Sequence, residues 1–210
     1  MLAIEDTEDV WVPEGEEEPS PIKRDPPKLE FFLDMDGVVA DFVGPALKAH
    51  SYDHRNFSWP TGVFDFEEAL DITTEKFWHP IDHLGDYFWS TLPCYPWAEA
   101  LVSVLEKHGK WRFLSSPSRH HSSAAGKVQW ISQHFDGAKW IFAEASDKQL
   151  LAGHRRVLID DRDSNVQQWR EAGGHAILFP QPWNSAHSMA VSGRIDFIGQ
   201  EISGLLEAIS

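Results

Sequence analysis

The chain has 210 residues, 42% of them apolar, with a formal net charge of −15, which suits one domain with room for an inserted subdomain. So acidic a body repels long polyanions, which argues against a polynucleotide-binding module but admits a small phosphate where a metal ion and local bases supply positive charge. A single cysteine, Cys94, excludes an internal disulfide and makes a reducing compartment the default; with no apolar run near the ~20 residues of a membrane span and no signal-peptide pattern in MLAIEDTEDV, the expectation is a cytoplasmic chain without membrane contact.

Residues 1–28 hold nine acids and three bases, a net of −6 that leaves −9 for the rest. Rich in Pro and Glu and without periodicity, they read as a disordered acidic tail. Order begins at LEFFLDMDG (29–37), an apolar run ending in acids and Gly, as a buried strand enters a functional loop. GPALKAH (44–50) reads as a short helix. Residues 51–92 carry nine aromatics between Phe57 and Trp89 against a chain average of 12%, and read as a small, mainly helical insert. Regular alternation then returns: helix 97–108 with Gly109 as its C-cap, strand 111–116, helix 123–135, strand 139–143, strand 155–161, helix 164–173 between Ser164 as N-cap and Gly173 as C-cap, strand 175–179, and a last helix from about Phe197 to Ile209. Such alternation predicts an α/β fold, a Rossmann-like parallel sheet with helices on both faces.

Ligands of such sheets sit outside the carboxyl ends of the strands, and three strands here end in reactive residues: Asp34-Met35-Asp36, Ser115-Ser116 and Asp160-Asp161. A carboxylate at Asp34 can attack phosphorus, splitting one hard step into two. A second at Asp36 can protonate the leaving oxygen and then take a proton from water. Taken alone, the pair also suits a turn, since Asp favours turns. Adjacent acids at 160 and 161 repel each other unless a cation is bound; Mg2+ takes oxygen ligands and often needs only one or two carboxylates, which Asp34 and Asp160 can supply. The Ser115 hydroxyl and the N–H groups after it can donate to phosphoryl oxygens. Lys127 and Lys148 can neutralise phosphate as point cations, though surface lysines are usually only solvated. His79 and His83, four apart, lack an HExxH pattern, and Pro80 between them is expected to weaken the helix.

FFLDMDGVVADF, FLSSP, Lys148 and VLIDD resemble, in order, the four motifs of the haloacid dehalogenase superfamily across roughly residues 29–180. The resemblance implies Asp34 as nucleophile, Asp36 as general acid/base, Ser115 as the second-motif hydroxyl and Lys148 as the third-motif lysine. It implies Mg2+ held by Asp34, the Asp36 carbonyl and Asp160, with Asp161 supporting. DMDGVVADF, SSPSRHHSSAAGKVQWISQHF, LIDDRDSN and FPQPWN are similar, more narrowly, to the 5′(3′)-deoxyribonucleotidase family, which adds Lys127 to phosphate contacts expected at Ser115, Ser116 and Lys148 and allows a homodimer. That family's animal members have Arg where Ser146 stands, and the insert follows its pattern poorly. The division implied is a core of residues 29–50 and 93–210 with residues 51–92 as a cap, whose aromatics Trp78, Phe88 and Trp89, with Phe42 of the core, can stack on a nucleobase or simply fill the insert's own core. The expected activity is Mg2+-dependent hydrolysis of nucleoside 5′-monophosphates, with deoxynucleotides as the expected substrates. Alternatives are another small phosphate ester, a nucleic-acid 3′-phosphate end, or a non-catalytic nucleotide-binding module.

Overall fold

Parallel strands covered on both faces read as continuous apolar runs, and the two-residue period divides each run between two layers. In the computed structural model, which describes residues 28–209, the strands are β1 (Leu29–Leu33), β2 (Gly109–Ser115), β3 (Trp140–Phe142), β4 (Arg156–Asp160) and β5 (His175–Leu178), with Glu30, Lys110, Arg112 and Arg156 interrupting the apolar pattern near the strands' amino ends. They form one parallel sheet in the order β3-β2-β1-β4-β5. The tail expected over 1–28 lies outside the described residues except for Lys28. Phe31, Leu33, Phe113, Val157, Ile159 and Ile177 face the larger core, with α5 (Ala98–His108), α6 (Ser122–His134) and α8 (Arg194–Ile209). Phe32, Leu114, Leu158 and Ala176 face α7 (Asp163–Glu171), where the Phe32 and Trp169 rings lie 5.2 Å apart. The expected α/β sheet with helices on both faces is therefore what the chain forms.

Three local expectations shift. Gly109 does not end α5 in a left-handed turn. Its φ is 175°, extended backbone, and it opens β2 by pairing with Leu29. Glycine is needed there because a Cβ would overlap the Leu29 carbonyl oxygen. Gly109→Ala is expected to cost about 1–3 kcal/mol, as overpacking does, read as a lower midpoint in urea unfolding. Helix α7 begins at Asp163 with Arg162 as N-cap, so Ser164 is already helical; the Asp160 carboxylate accepts the Arg162 N–H at 2.9 Å and fixes the chain's exit from β4 there. Pro80 does not break its helix: α3 (Thr74–Leu84) runs through it, anchored by the buried Phe77 and Ile81 on either side.

The insert forms α2 (Phe66–Leu70), α3 and α4 (Asp86–Ser90), following α1 (Val43–Ala49). Its buried Leu70, Phe77, Ile81, Phe88 and Trp89 belong to the same apolar cluster as β1. Phe42 is the joint: its ring lies 5.3 Å from Phe66, 5.4 Å from Trp89 and 5.7 Å from Phe88. On the far side α4 lies directly on α6, so close that a Cβ at Gly126 would stand 2.5 Å from the Asp86 carbonyl oxygen and from the Trp89 Cβ. Among the described residues no helix is long and apolar enough to cross a membrane.

Candidate active site

Strand order places β1 between β2 and β4, so their carboxyl ends meet at the sheet's centre. The Asp34 N–H bonds to the Ile159 carbonyl at 2.9 Å, extending the ladder one residue into the site. The chain then turns at once: the Val39 and Ala40 N–H groups both reach the Met35 carbonyl at 2.9 Å, and Gly37 adopts φ +74°.

Asp34, Asp160 and Asp161, all buried, each offer an oxygen within 4.8 Å of the others. The Lys148 ammonium, 2% exposed, lies 2.9 Å from Asp34 and 2.7 Å from Asp160. It is presented by a 3-10 helix, Ala145–Leu151, in the loop between β3 and β4. Asn165 of α7 donates to both oxygens of Asp160, at 3.1 and 3.0 Å. The acids share too little positive charge. Burial, with Asp160 and Asp36 adding repulsion, pushes the Asp34 carboxyl up to about 6 despite Lys148. Burial and the Asp160 and Asp34 charges likewise hold the Asp161 carboxyl well above its usual range, against the Trp183 hydrogen bond. For Lys148, burial works to lower the value, but Asp160 and Asp34 outweigh it and the ammonium is held above its ordinary range.

Lys127, fully buried on α6, pairs with the Asp36 carboxylate and donates to the Ser115 Oγ at 2.8 Å, with its ammonium 5.1 Å from the Trp89 ring centre. Ser116 lies at the same edge, its Oγ without a hydrogen-bond partner among the described residues. A cavity of about 1070 Å³ opens above these groups. Asp34, Asp36, Phe42, Trp78, Trp89, Ser116, Lys148 and Asp161 line it. Phe88 does not: it is 4% exposed and borders a second groove on the insert's other side. Ser146 is exposed and outside the lining. Sequence reasoning missed Arg119, Arg162, Asn165 and Trp183, which also line the cavity. All four lay within quoted motifs, Arg119 in SSPSRHHSSAAGKVQWISQHF, Arg162 and Asn165 in LIDDRDSN and Trp183 in FPQPWN, but only as letters.

The donor set fits a hard divalent cation. Three buried carboxylates face one ammonium, every candidate ligand is oxygen, and a cation would offset the repulsion. The Asp36 carboxylate turns away to Lys127, so of that residue only the carbonyl assigned by resemblance is left for a metal.

A haloacid dehalogenase-like family hydrolase from Xanthomonas campestris superposes with a TM-score of 0.54 at 12% identity, over 87% of this chain and 99% of that one. A Lactobacillus plantarum protein provisionally named as a phosphoglycolate phosphatase gives 0.52 at 14% identity, over 83% and 99%. At such identities the likeness speaks for the fold. No curated protein matches the chain. The family model described as 5′ nucleotidase, deoxy (pyrimidine), cytosolic type C protein matches residues 28–195. With that match over most of its length and the haloacid dehalogenase-type sheet beneath it, the chain belongs to the cytosolic type C 5′-nucleotidase family and is a phosphoric monoester hydrolase.

Proposed function

We propose that the protein hydrolyses nucleoside 5′-monophosphates, deoxynucleotides foremost, in a Mg2+-dependent reaction through a phospho-aspartate on Asp34. One observation carries the reading: Asp34 and Asp36 line the cavity, and each is paired with a buried lysine that also reaches a neighbouring strand end, Lys148 in the lining to Asp160 and Lys127 behind it to Ser115.

In the first step an Asp34 oxygen bonds to phosphorus while the bond to the nucleoside 5′ oxygen breaks, and Asp36 gives that oxygen its proton. In the second, water loses a proton to Asp36 and attacks phosphorus. The bond to Asp34 breaks, inorganic phosphate leaves, and both acids regain their starting forms. Lys127, Lys148, Ser115 and Ser116 meet the phosphoryl oxygens, where positive charge and donors stabilise the transition state. Mg2+, held by Asp34, the Asp36 carbonyl and Asp160 with Asp161 in support, supplies Lewis-acid neutralisation of the phosphoryl charge. The insert acts as the cap, and the half-buried Trp78 offers a ring on which a base gains ~1–3 kcal/mol by stacking, backed by Phe42 and Trp89, whose rings are buried against each other.

The test is phosphate release from a panel of deoxy- and ribonucleoside monophosphates, with Mg2+ and with EDTA. Release that favours deoxynucleotides and stops in EDTA is expected. Activity on an aryl phosphate but on no nucleotide would discard the nucleotide assignment and keep the Asp34 chemistry.

A further inference from the structure

The loop from Phe179 to Asn184, between β5 and α8, is far in sequence from the acids but reaches them with buried polar side chains. Gln181, Trp183 and Asn184 are 3%, 7% and 1% exposed. Gln181 donates to the Gly37 carbonyl, one residue beyond Asp36, and accepts from Arg194 at 3.0 Å. Asn184 donates to the Phe179 and Asp161 carbonyls, both at 2.8 Å, and accepts the Gln181 N–H at 3.2 Å. The loop is thereby fastened to itself and to the backbone of the acid pair.

Trp183 makes the contact that reaches a carboxylate: its indole Nε1 donates to the Asp161 Oδ2 at 2.7 Å. Lys148 and Asn165 direct their hydrogen bonds and ion pairs to Asp34 and Asp160 instead. The indole is itself confined. Its ring packs on the insert's Trp59, 5.8 Å between centres at 66°, and its Cζ2 would stand 3.1 Å from a Cβ at Gly37. Beside it the Pro182 carbonyl accepts the Gly62 N–H of the insert at 3.1 Å. A donor so fixed has little freedom to leave the oxygen it serves.

We propose that Trp183 is a positioning residue for the cation cluster, holding the Asp161 carboxylate where it supports a bound divalent ion. The inference rests on the cation reading made under the proposed function. Partners that orient a ligand set in this way are typically worth about 10–100-fold in metal affinity.

The experiment is calorimetric titration of the full chain with Mg2+, without substrate, for the parent, Trp183→Phe, Asp161→Asn and the double variant. Trp183→Phe keeps a ring against Trp59 and removes the N–H. It is expected to weaken Mg2+ binding about 10–100-fold, with melting in EDTA that remains cooperative. In the Asp161→Asn background the same change is expected to cost nothing further, because the partner is already altered. A full additional loss there would mean that Trp183 acts through the fold and would overturn the proposal. Parental affinity in Trp183→Phe would overturn it too, leaving the cation reading intact, whereas a parent that binds no Mg2+ sinks both. Should Trp183→Phe not fold, the parent still decides: the assigned Trp183 indole N–H resonance is expected to shift as Mg2+ saturates, and a stationary signal overturns the proposal.

Discussion

Asp34→Asn is expected to slow phosphate release about 10⁴–10⁶-fold, the range in which loss of a covalent nucleophile falls, while the protein melts as one cooperative unit. An amide oxygen is a poor nucleophile toward phosphorus, so the loss belongs in kcat. The fold has reason to survive. The replacement is isosteric, the backbone bond from residue 34 to Ile159 is untouched, and Lys148 keeps Asp160 at 2.7 Å. Removing one of three clustered carboxylates also lessens the repulsion that helps push the Asp34 carboxyl up to about 6, so the metal-free variant is expected to melt no lower than the parent. Steady-state release and a thermal melt in EDTA check both halves. Turnover near the parental rate would remove Asp34 from the mechanism.

Lys148→Met should damage stability and activity together. Its ammonium is 2% exposed and is the cation that both Asp34 and Asp160 face. Methionine occupies similar space but leaves those carboxylates buried without it, and breaking a buried ion pair by removing one partner costs about 3–5 kcal/mol. The loss should be largest in EDTA and smaller in excess Mg2+, because carboxylates freed of the ammonium attract the cation more strongly, so that Mg2+ adds more to the stability of the variant than to that of the parent. Urea unfolding under both conditions measures it. As a control, the exposed Lys107 changed to Met should stay within about 0.5 kcal/mol of the parent. A metal-independent loss would show that Lys148 balances something other than the acids at the cation cluster.

Much of this was legible because parallel strands announce themselves. β1, β2 and β4 close on the apolar stretches Phe31–Leu33, Phe113–Leu114 and Val157–Ile159, so the polar residues that follow, Asp34, Ser115 and Asp160, stand out, and sheet topology alone brings such ends to one edge. Other features depend on distances that no sequence window spans. Lys127 reads as a weak helix lysine, yet it is fully buried between Asp36 and Ser115 because α6 returns across the edge of the sheet. Phe88 and Trp89 looked equivalent as neighbouring aromatics. On a five-residue helix they point to opposite sides, one to the second groove and one to the cavity. Trp183 gave no chemical signal, since an indole near a chain's end usually signifies packing. Gly109 looked like a helix stop because glycine serves both a left-handed cap and a tight strand contact, and only the neighbouring Leu29 carbonyl distinguishes them.

The close seat of α4 on α6 sets how this enzyme can be re-engineered. Gly126 permits the approach, and the next residue is Lys127, whose ammonium stands over the Trp89 ring of that same α4. The last helix of the insert is thus packed on the lysine that pairs with Asp36, and grafting a foreign insert across Asp86–Ser90 would drag that lysine with it. The outer face of α3 has no such tie: Glu75, His79 and His83 are exposed and line the cavity. Libraries aimed at new leaving groups belong on those three positions, with the graft boundary drawn ahead of Gly85.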